Sequence, residues 1–242
     1  MVHTLPDYST KYKMAKVFGQ IDTGELAVRL GAISSFDRRG NVLWMDNFEE
    51  ATIGWEVSYT GGAGNTFLST NRWLHGGQSL YLEPDTDDDD RVSLIRNLSY
   101  PTLGRMGFEA SMTCIDTVKF ISLFMRVYDG VHYHESGFGY WKDTDQLTFL
   151  GPLGLNVPFK DGITTEDDDR LFLHFKYVYD YTTAKYVRGN FNGVDYDMST
   201  LSGQIEDDAI RPYLRLYIVC DCAGTGLTYT YLDSVILTQN EP

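Results

Sequence analysis

Most of this chain alternates apolar and polar residues with a period of two, the signature of half-buried strands. Clear runs are Gly54 to Tyr59, Thr66 to Thr70, Ser79 to Glu83, Val118 to Asp129, Val131 to Trp141 and Gln146 to Leu150. Arg170 to Tyr179 is expected to pair with Lys185 to Phe191, and Tyr213 to Val219 with Leu227 to Leu237. Between them stand Gly-rich and Asn-Gly turns, of which Asn192-Gly193 is the strongest two-residue hairpin signal. Short strands at this spacing predict an all-β sandwich or barrel.

The opening differs from the rest. Residues 1 to 20 have no clear period and read as an extended arm. Asp22-Thr23 caps a short helix through Leu30 that Gly31 ends. Ala32 to Phe36 and Val42 to Met45 flank Asp37-Arg38-Arg39-Gly40-Asn41 as a hairpin. The division expected is therefore 1–45 for arm, helix and hairpin, and 46–242 for the β-body.

Composition sharpens this picture. Of 242 residues, 17 are Tyr and 13 Phe, which favours strands over helices. The net charge of −14 argues against nucleic acid as a partner. It is unevenly spread, with a net of +2 in residues 1–45 and −16 beyond, so a basic arm precedes an acidic body. The acid runs Asp85 to Asp90 and Glu166 to Asp169 read as solvated loop tips. Cys114, Cys220 and Cys222 are odd in number and read as inert apolar residues. No charged-then-apolar leader opens the sequence as given, and no run nears the roughly 18 apolar residues that span a bilayer, so no membrane partner is expected.

Phe48-Glu49, Gly54-Trp55 and Gly76-Gly77-Gln78-Ser79-Leu80-Tyr81-Leu82 resemble the first third of carbohydrate-binding jelly rolls. Phe172 to Asp180 with Lys185 to Met198 is similar to a strand pair of concanavalin-like and laminin-G-like sandwiches, and Tyr229 to Leu237 to their closing strand. The resemblance implies an antiparallel jelly-roll β-sandwich behind the arm. It also implies a structural calcium ion held by Asp46 or Glu49 together with Asp233, so that the two ends of the body meet. The entry, Ile33 to Glu49, resembles bacteriophage structural proteins in which an arm and hairpin precede a jelly roll. That likeness implies a virion location, capsid or tail proteins as partners and sibling copies in a homo-oligomer.

Sugar binding uses exposed aromatic rings that stack on pyranose faces. The candidates are Trp55, Trp73, Tyr133, Tyr140 and Trp141. His132-x-His134-Glu135 places two metal-ligating rings on one strand face without further ligands, and reads as a surface strand. Catalysis finds little support. The Glu-x-Asp-x-x-Glu run that sets two carboxyls about 5 Å apart in retaining glycosidases is missing, as are nucleophile elbows and phosphate loops. The sequence thus points to a non-enzymatic virion structural protein displaying a lectin-like jelly roll. A carbohydrate-binding module or lectin acting outside the cell, and a polysaccharide-active enzyme, are the alternatives.

Overall fold

The computed structural model describes residues 39 to 224 and 226 to 242. The extended arm, the short helix and the first arm of the opening hairpin lie outside those residues. Sixteen strands and no helix occur among the described residues, and they form two eight-stranded antiparallel sheets packed as a jelly-roll β-sandwich.

Sheet A contains β1 (Asn41–Asp46), β3 (Asn65–Ser69), β4 (Ser79–Glu83), β6 (Arg105–Thr113), β11 (Phe172–Asp180), β12 (Lys185–Phe191), β13 (Val194–Asp197) and β16 (Thr230–Gln239). Its order is β13-β12-β11-β6-β16-β4-β3, with β1 also paired to β16. Sheet B contains β2 (Glu56–Thr60), β5 (Asp88–Ser99), β7 (Val118–Tyr128), β8 (His132–Trp141), β9 (Gln146–Leu150), β10 (Asn156–Lys160), β14 (Gln204–Asp207) and β15 (Tyr213–Ala223). Its order is β10-β9-β8-β7-β15-β5-β2, with β14 also paired to β8.

Period-two alternation builds the core. Phe108, Ala110 and Met112 of β6 and Phe175 and Tyr177 of β11 point inward from sheet A, against Leu123, Met125 and Val127 of β7 and Phe138 of β8. Phe138 bridges the layers, with ring centroids 6.5 Å from Phe175 and 6.3 Å from Tyr177. The outer side of sheet A is not apolar. There Lys176 and Glu109 are each 1 % exposed, and the Lys176 ammonium lies 2.9 Å from Glu241 Oε1. Arg188 holds the other oxygen of Glu241.

Several expectations change. β15 and β16 do not pair with each other. β15 sits between β5 and β7 in sheet B, whereas β16 lies beside β6 in sheet A, so the chain crosses the sandwich between them. Val42 to Met45 belongs to β1, hydrogen-bonded to β16, and is part of the body's sheet. The run Asp85 to Asp90 is more than a loop tip. Its last three residues open β5, and Asp90 is buried, accepting from the amides of Gly62 and Asp87. Asn192-Gly193 does form the β12–β13 turn, with φ of 50° and 81°. The three cysteines are free and buried, and burial pushes the Cys114 thiol up to about 12.

Candidate binding face and cation cradle

The cradle arises where β16 changes neighbour. Thr230 to Leu232 pair with β4, and Val235 to Gln239 pair with β1, so the ladder on that edge is broken at Asp233 and Ser234. Ser234 has φ 56° and marks an irregularity in the β6 register as well. Two loops close over the gap. Asp233 Oδ2 accepts from the amides of Leu74 (2.6 Å) and His75 (3.0 Å). Glu49 Oε1 accepts from those of Gly77 (2.8 Å) and Gln78 (3.1 Å). Gln78 in turn donates to the carbonyls of Phe48 and Glu50. Gly76 makes this approach feasible, because a Cβ there would stand 2.0 Å from Glu49 Oε1 and its φ is +78°.

These contacts choose between the two acids proposed as partners of Asp233. Asp46 is already used, accepting from the Phe48 amide (2.9 Å) and the Trp55 indole (3.0 Å), so its carboxylate is a turn-and-core anchor. Glu49 faces the same loop as Asp233 and acts on it electrically. Burial pushes the Asp233 carboxyl up, and the negative charge of Glu49 adds to the rise. Asp233 Oδ1 is buried and receives no hydrogen bond. Two hard carboxylates and one orphaned oxygen fit a calcium-like cation. No group of three metal-ligating side chains occurs among the described residues, so a cation held here would need backbone carbonyls and water for its remaining ligands.

The sugar candidates separate by burial. Trp55 (6 % exposed) and Tyr140 (0 %) are core residues and present no ring face to solvent. Trp55 packs edge-on to Trp44 and is held by Asp46, and Tyr140 donates to the Ile163 carbonyl (2.8 Å). The alternation around each points it inward, which corrects their assignment as stacking platforms. Trp73 is 46 % exposed on the loop before β4, apart from the others. Tyr133 and Trp141 share the outer face of sheet B, at opposite ends of β8, separated by roughly 27 Å of strand.

The residues between and beside them were not singled out in the sequence, yet they form a surface ordered by strand register and cation–π contacts. Register partners share a sheet face, so the pairing of β8, β7, β15 and β5 places residues in rows across sheet B. One row is Tyr133, Tyr128, Tyr213 and Ser99; the next is Glu135, Arg126, Arg215 and Asn97; the third is Gly137, Phe124, Tyr217 and Ile95. Tyr128 and Tyr213 stack at 4.4 Å and 15°. Arg126 lies over the rings of Tyr133 (4.9 Å) and Tyr217 (5.5 Å), and Arg215 over Tyr213 (5.2 Å) and Tyr217 (5.8 Å). Such stacking is worth about 0.5–2 kcal/mol per pair and fixes the guanidiniums. Gly137 is required by contact, since a Cβ would sit 2.3 Å from the Phe124 ring.

Charge on this face is tied down. Arg126 Nη2 donates to both Glu135 oxygens, at 2.9 and 2.8 Å. Burial opposes the Arg126 charge, and Glu135 more than offsets it. Further along, Arg91 clamps Asp221 at 2.6 and 2.7 Å. Burial, then a hydrogen bond to Glu206, pushes Tyr133 up to about 12; burial, then Tyr128, does the same to Tyr213. His132 and His134 both face Asp129, at 3.7 and 3.6 Å.

A second aromatic strip crosses the β3–β4 edge of sheet A. Phe67 lies 4.7 Å from Tyr81, which lies 5.6 Å from Tyr229. Beside Tyr229 opens a cleft of about 620 Å³ lined by Arg72, Asp168, Asp169 and Arg170. Four of its charges pair with each other, Arg72 with Asp169 and Arg170 with Asp168, while Asp116 pairs outside the lining with Lys142 and Asp167 accepts from the Asp116 amide. The run Glu166 to Asp169 is thus partly engaged in the fold rather than wholly solvated.

No protein-family model matches the chain, and no curated protein matches it in sequence. Solved structures match its shape. An endo-β-1,4-glucuronan lyase from the fungus Trichoderma reesei aligns over 82 % of this chain and 95 % of its own, at 10 % identity and TM-score 0.57. A Bacillus subtilis protein of unknown function with a galectin-like fold aligns over 83 % and 97 %, at 9 % identity and TM-score 0.54. A glycosidic hydrolase aligns over 82 % and 97 %, at 11 % identity and TM-score 0.52. At such identities the likeness establishes the jelly-roll fold alone.

Proposed function

We propose that this chain is a non-catalytic carbohydrate-binding jelly roll that takes up glycan on the outer face of sheet B. The observation that carries the reading is the outward set of Tyr133, Tyr213, Phe124 and Tyr217 around Arg126 and Arg215, with the buried Tyr128 stacked against Tyr213. Ring faces suit the C–H faces of pyranoses, and fixed guanidinium, amide and hydroxyl groups suit sugar hydroxyls. One fold neighbour is an endo-β-1,4-glucuronan lyase and another a glycosidic hydrolase, which is in keeping with this use of the scaffold.

Support for the absence of catalysis comes from the same side chains. A retaining glycosidase needs a free acid beside a free nucleophile. Here both oxygens of Glu135 are taken by Arg126, and Glu206 is bonded to Tyr133. A tyrosine serving as base needs a lowered pKa, whereas Tyr133 and Tyr213 are raised. A glycan array followed by a reducing-end assay on every bound polymer tests the reading. Binding without release of new ends is expected, and Tyr213→Ala should weaken it about tenfold, the scale of one lost stacking contact. Steady turnover, or binding unchanged in Tyr213→Ala, contradicts it.

The mounting of this module is a further part of the proposal. The net charges of +2 on residues 1–45 and −16 beyond, with the phage-like entry from Ile33 to Glu49, support a virion protein fastened by its N-terminal segment to capsid or tail partners and to sibling copies. Deleting residues 1 to 38 should leave a folded body that no longer joins particles. Incorporation of the shortened chain at normal copy number would remove this role. Calcium between Glu49 and Asp233 is proposed as structural, tying the first loop of the body to its last strand.

A further inference from the structure

The central row of the sheet B face carries a charge that its own neighbours do not balance. Arg126 and Arg215 are register partners on adjacent strands, so two guanidiniums stand directly opposite each other. Like charges in that relation destabilise a sheet. Glu135 answers Arg126. Nothing comparable answers Arg215, whose Nε donates to the neutral Asn97 Oδ1 (2.7 Å) and whose Nη1 donates to the Tyr217 hydroxyl (3.1 Å). These bonds, with the rings of Tyr213 and Tyr217 alongside, fix the guanidinium plane and leave Nη2 without a partner among the described residues. Burial works against its charge, but the Tyr217 hydrogen bond and the surrounding hydroxyls keep it a firm cation. In a chain with 34 acidic side chains against 20 basic ones, Arg215 is held rigid by neutral partners.

We infer that the ligand of this face is an acidic glycan, a uronic-acid-type sugar whose carboxylate is received by Arg215 between Tyr213 and Tyr217. The inference rests on the glycan reading above and narrows it to a substrate class. A carboxylate matches the planar donor edge of a guanidinium, and it brings a second negative charge to a row in which two arginines face one glutamate. The flanking aromatic rows hold the pyranose that carries the carboxylate. The acidity of the body does not forbid this. Charges farther than about 8 Å are largely screened at physiological salt; Glu135 and Glu206 are engaged by Arg126 and Tyr133, and Glu56, the register partner of Ile95, stands two strands and one row from Arg215, roughly 12 Å of backbone. Asp221 lies three rows away and is clamped by Arg91.

Calorimetric titration of the full chain tests this with oligomers of galacturonate, glucuronate and mannuronate, each beside its carboxyl-reduced, neutral counterpart. At least one acid oligomer should bind about tenfold or more tightly than its neutral partner, as expected for a hydrogen bond to a charged group, and the gap should shrink as salt rises. Arg215→Gln should bring the ratio of acid to neutral affinity to about one, whatever it does to the binding of both forms. Asn97→Ala, which removes the strut on Nε but no charge, should weaken acid binding severalfold. Equal affinities for the two forms, or an acid preference that survives Arg215→Gln, overturn the assignment and leave the glycan reading standing. Binding to none of the six while an array shows neutral glycans bound does the same. Binding to no glycan of any kind overturns both.

Discussion

Asp233 sits where an ionised carboxylate is costly. It is fully buried, one oxygen has no donor, and Glu49 adds negative charge nearby. An acid whose carboxyl is raised by folding stabilises the fold when protonated. That contribution is complete below the unfolded value of about 3.9 and is lost as pH rises through the folded value. In chelator, the wild type should therefore gain melting temperature relative to Asp233→Asn as pH falls from 7 toward 4. Saturating calcium reverses the order at pH 7, because the cation favours the charged form; stabilisation of about 2.7 kcal/mol is expected at 100 times the dissociation constant. Parallel melting curves for wild type and Asp233→Asn across that range, or melting indifferent to calcium and chelator, would remove the ion. The expectation that Asp233 meets Asp46 or Glu49 came from the jelly-roll resemblance, and residue type and spacing do not carry it. The choice of Glu49 over Asp46 was not legible, since it turns on which acid the Trp55 indole and the Phe48 amide consume.

At the scale of elements, local chemistry was readable and pairing partners were not. Asn192-Gly193 dictates its own turn: both residues take positive φ, and the Gly193 amide is held by Asn190 Oδ1 (3.0 Å). Gly193→Ala should cost roughly 1–2 kcal/mol, the penalty for a Cβ in the left-handed region. Urea unfolding with an unchanged midpoint would show that the hairpin does not depend on this turn. The strands β15 and β16 illustrate the opposite case. Each alternates clearly, but alternation says which residues face one way and not which neighbour lies alongside. The short link from Cys222 to Thr228 looks like a hairpin connection and instead carries the chain from one sheet to the other. The row of Tyr213, Arg215 and Tyr217 was visible as three polar-aromatic positions between Leu214, Leu216 and Ile218. Its meaning depends on register with β7 and β5, which only the folded sheets supply. For the same reason Trp55 and Tyr140 were offered as exposed rings, because residue type alone does not reveal the inward side of a strand.

Across the whole molecule, the sandwich separates its tasks. The core between the sheets is apolar, the outer side of sheet A buries paired charges such as Lys176 and Glu241, and the outer side of sheet B carries aromatic rings with fixed arginines. A large aromatic surface ordered by stacking and cation–π contacts is suited to holding a ligand. The acidic, all-β character was readable from composition and alternation. The binding face was not, since its residues come from four strands spread over more than a hundred positions. The competing surface is the Phe67–Tyr81–Tyr229 strip beside the paired-charge cleft. Side-chain NMR of the full chain, titrated with a glycan selected from the array, decides between them. Shifts concentrated on Tyr133, Tyr213, Tyr217 and the Arg215 guanidinium, with Phe67, Tyr81 and Tyr229 unmoved, are the result this account expects; shifts confined to the sheet A strip, with the sheet B face silent, would contradict it.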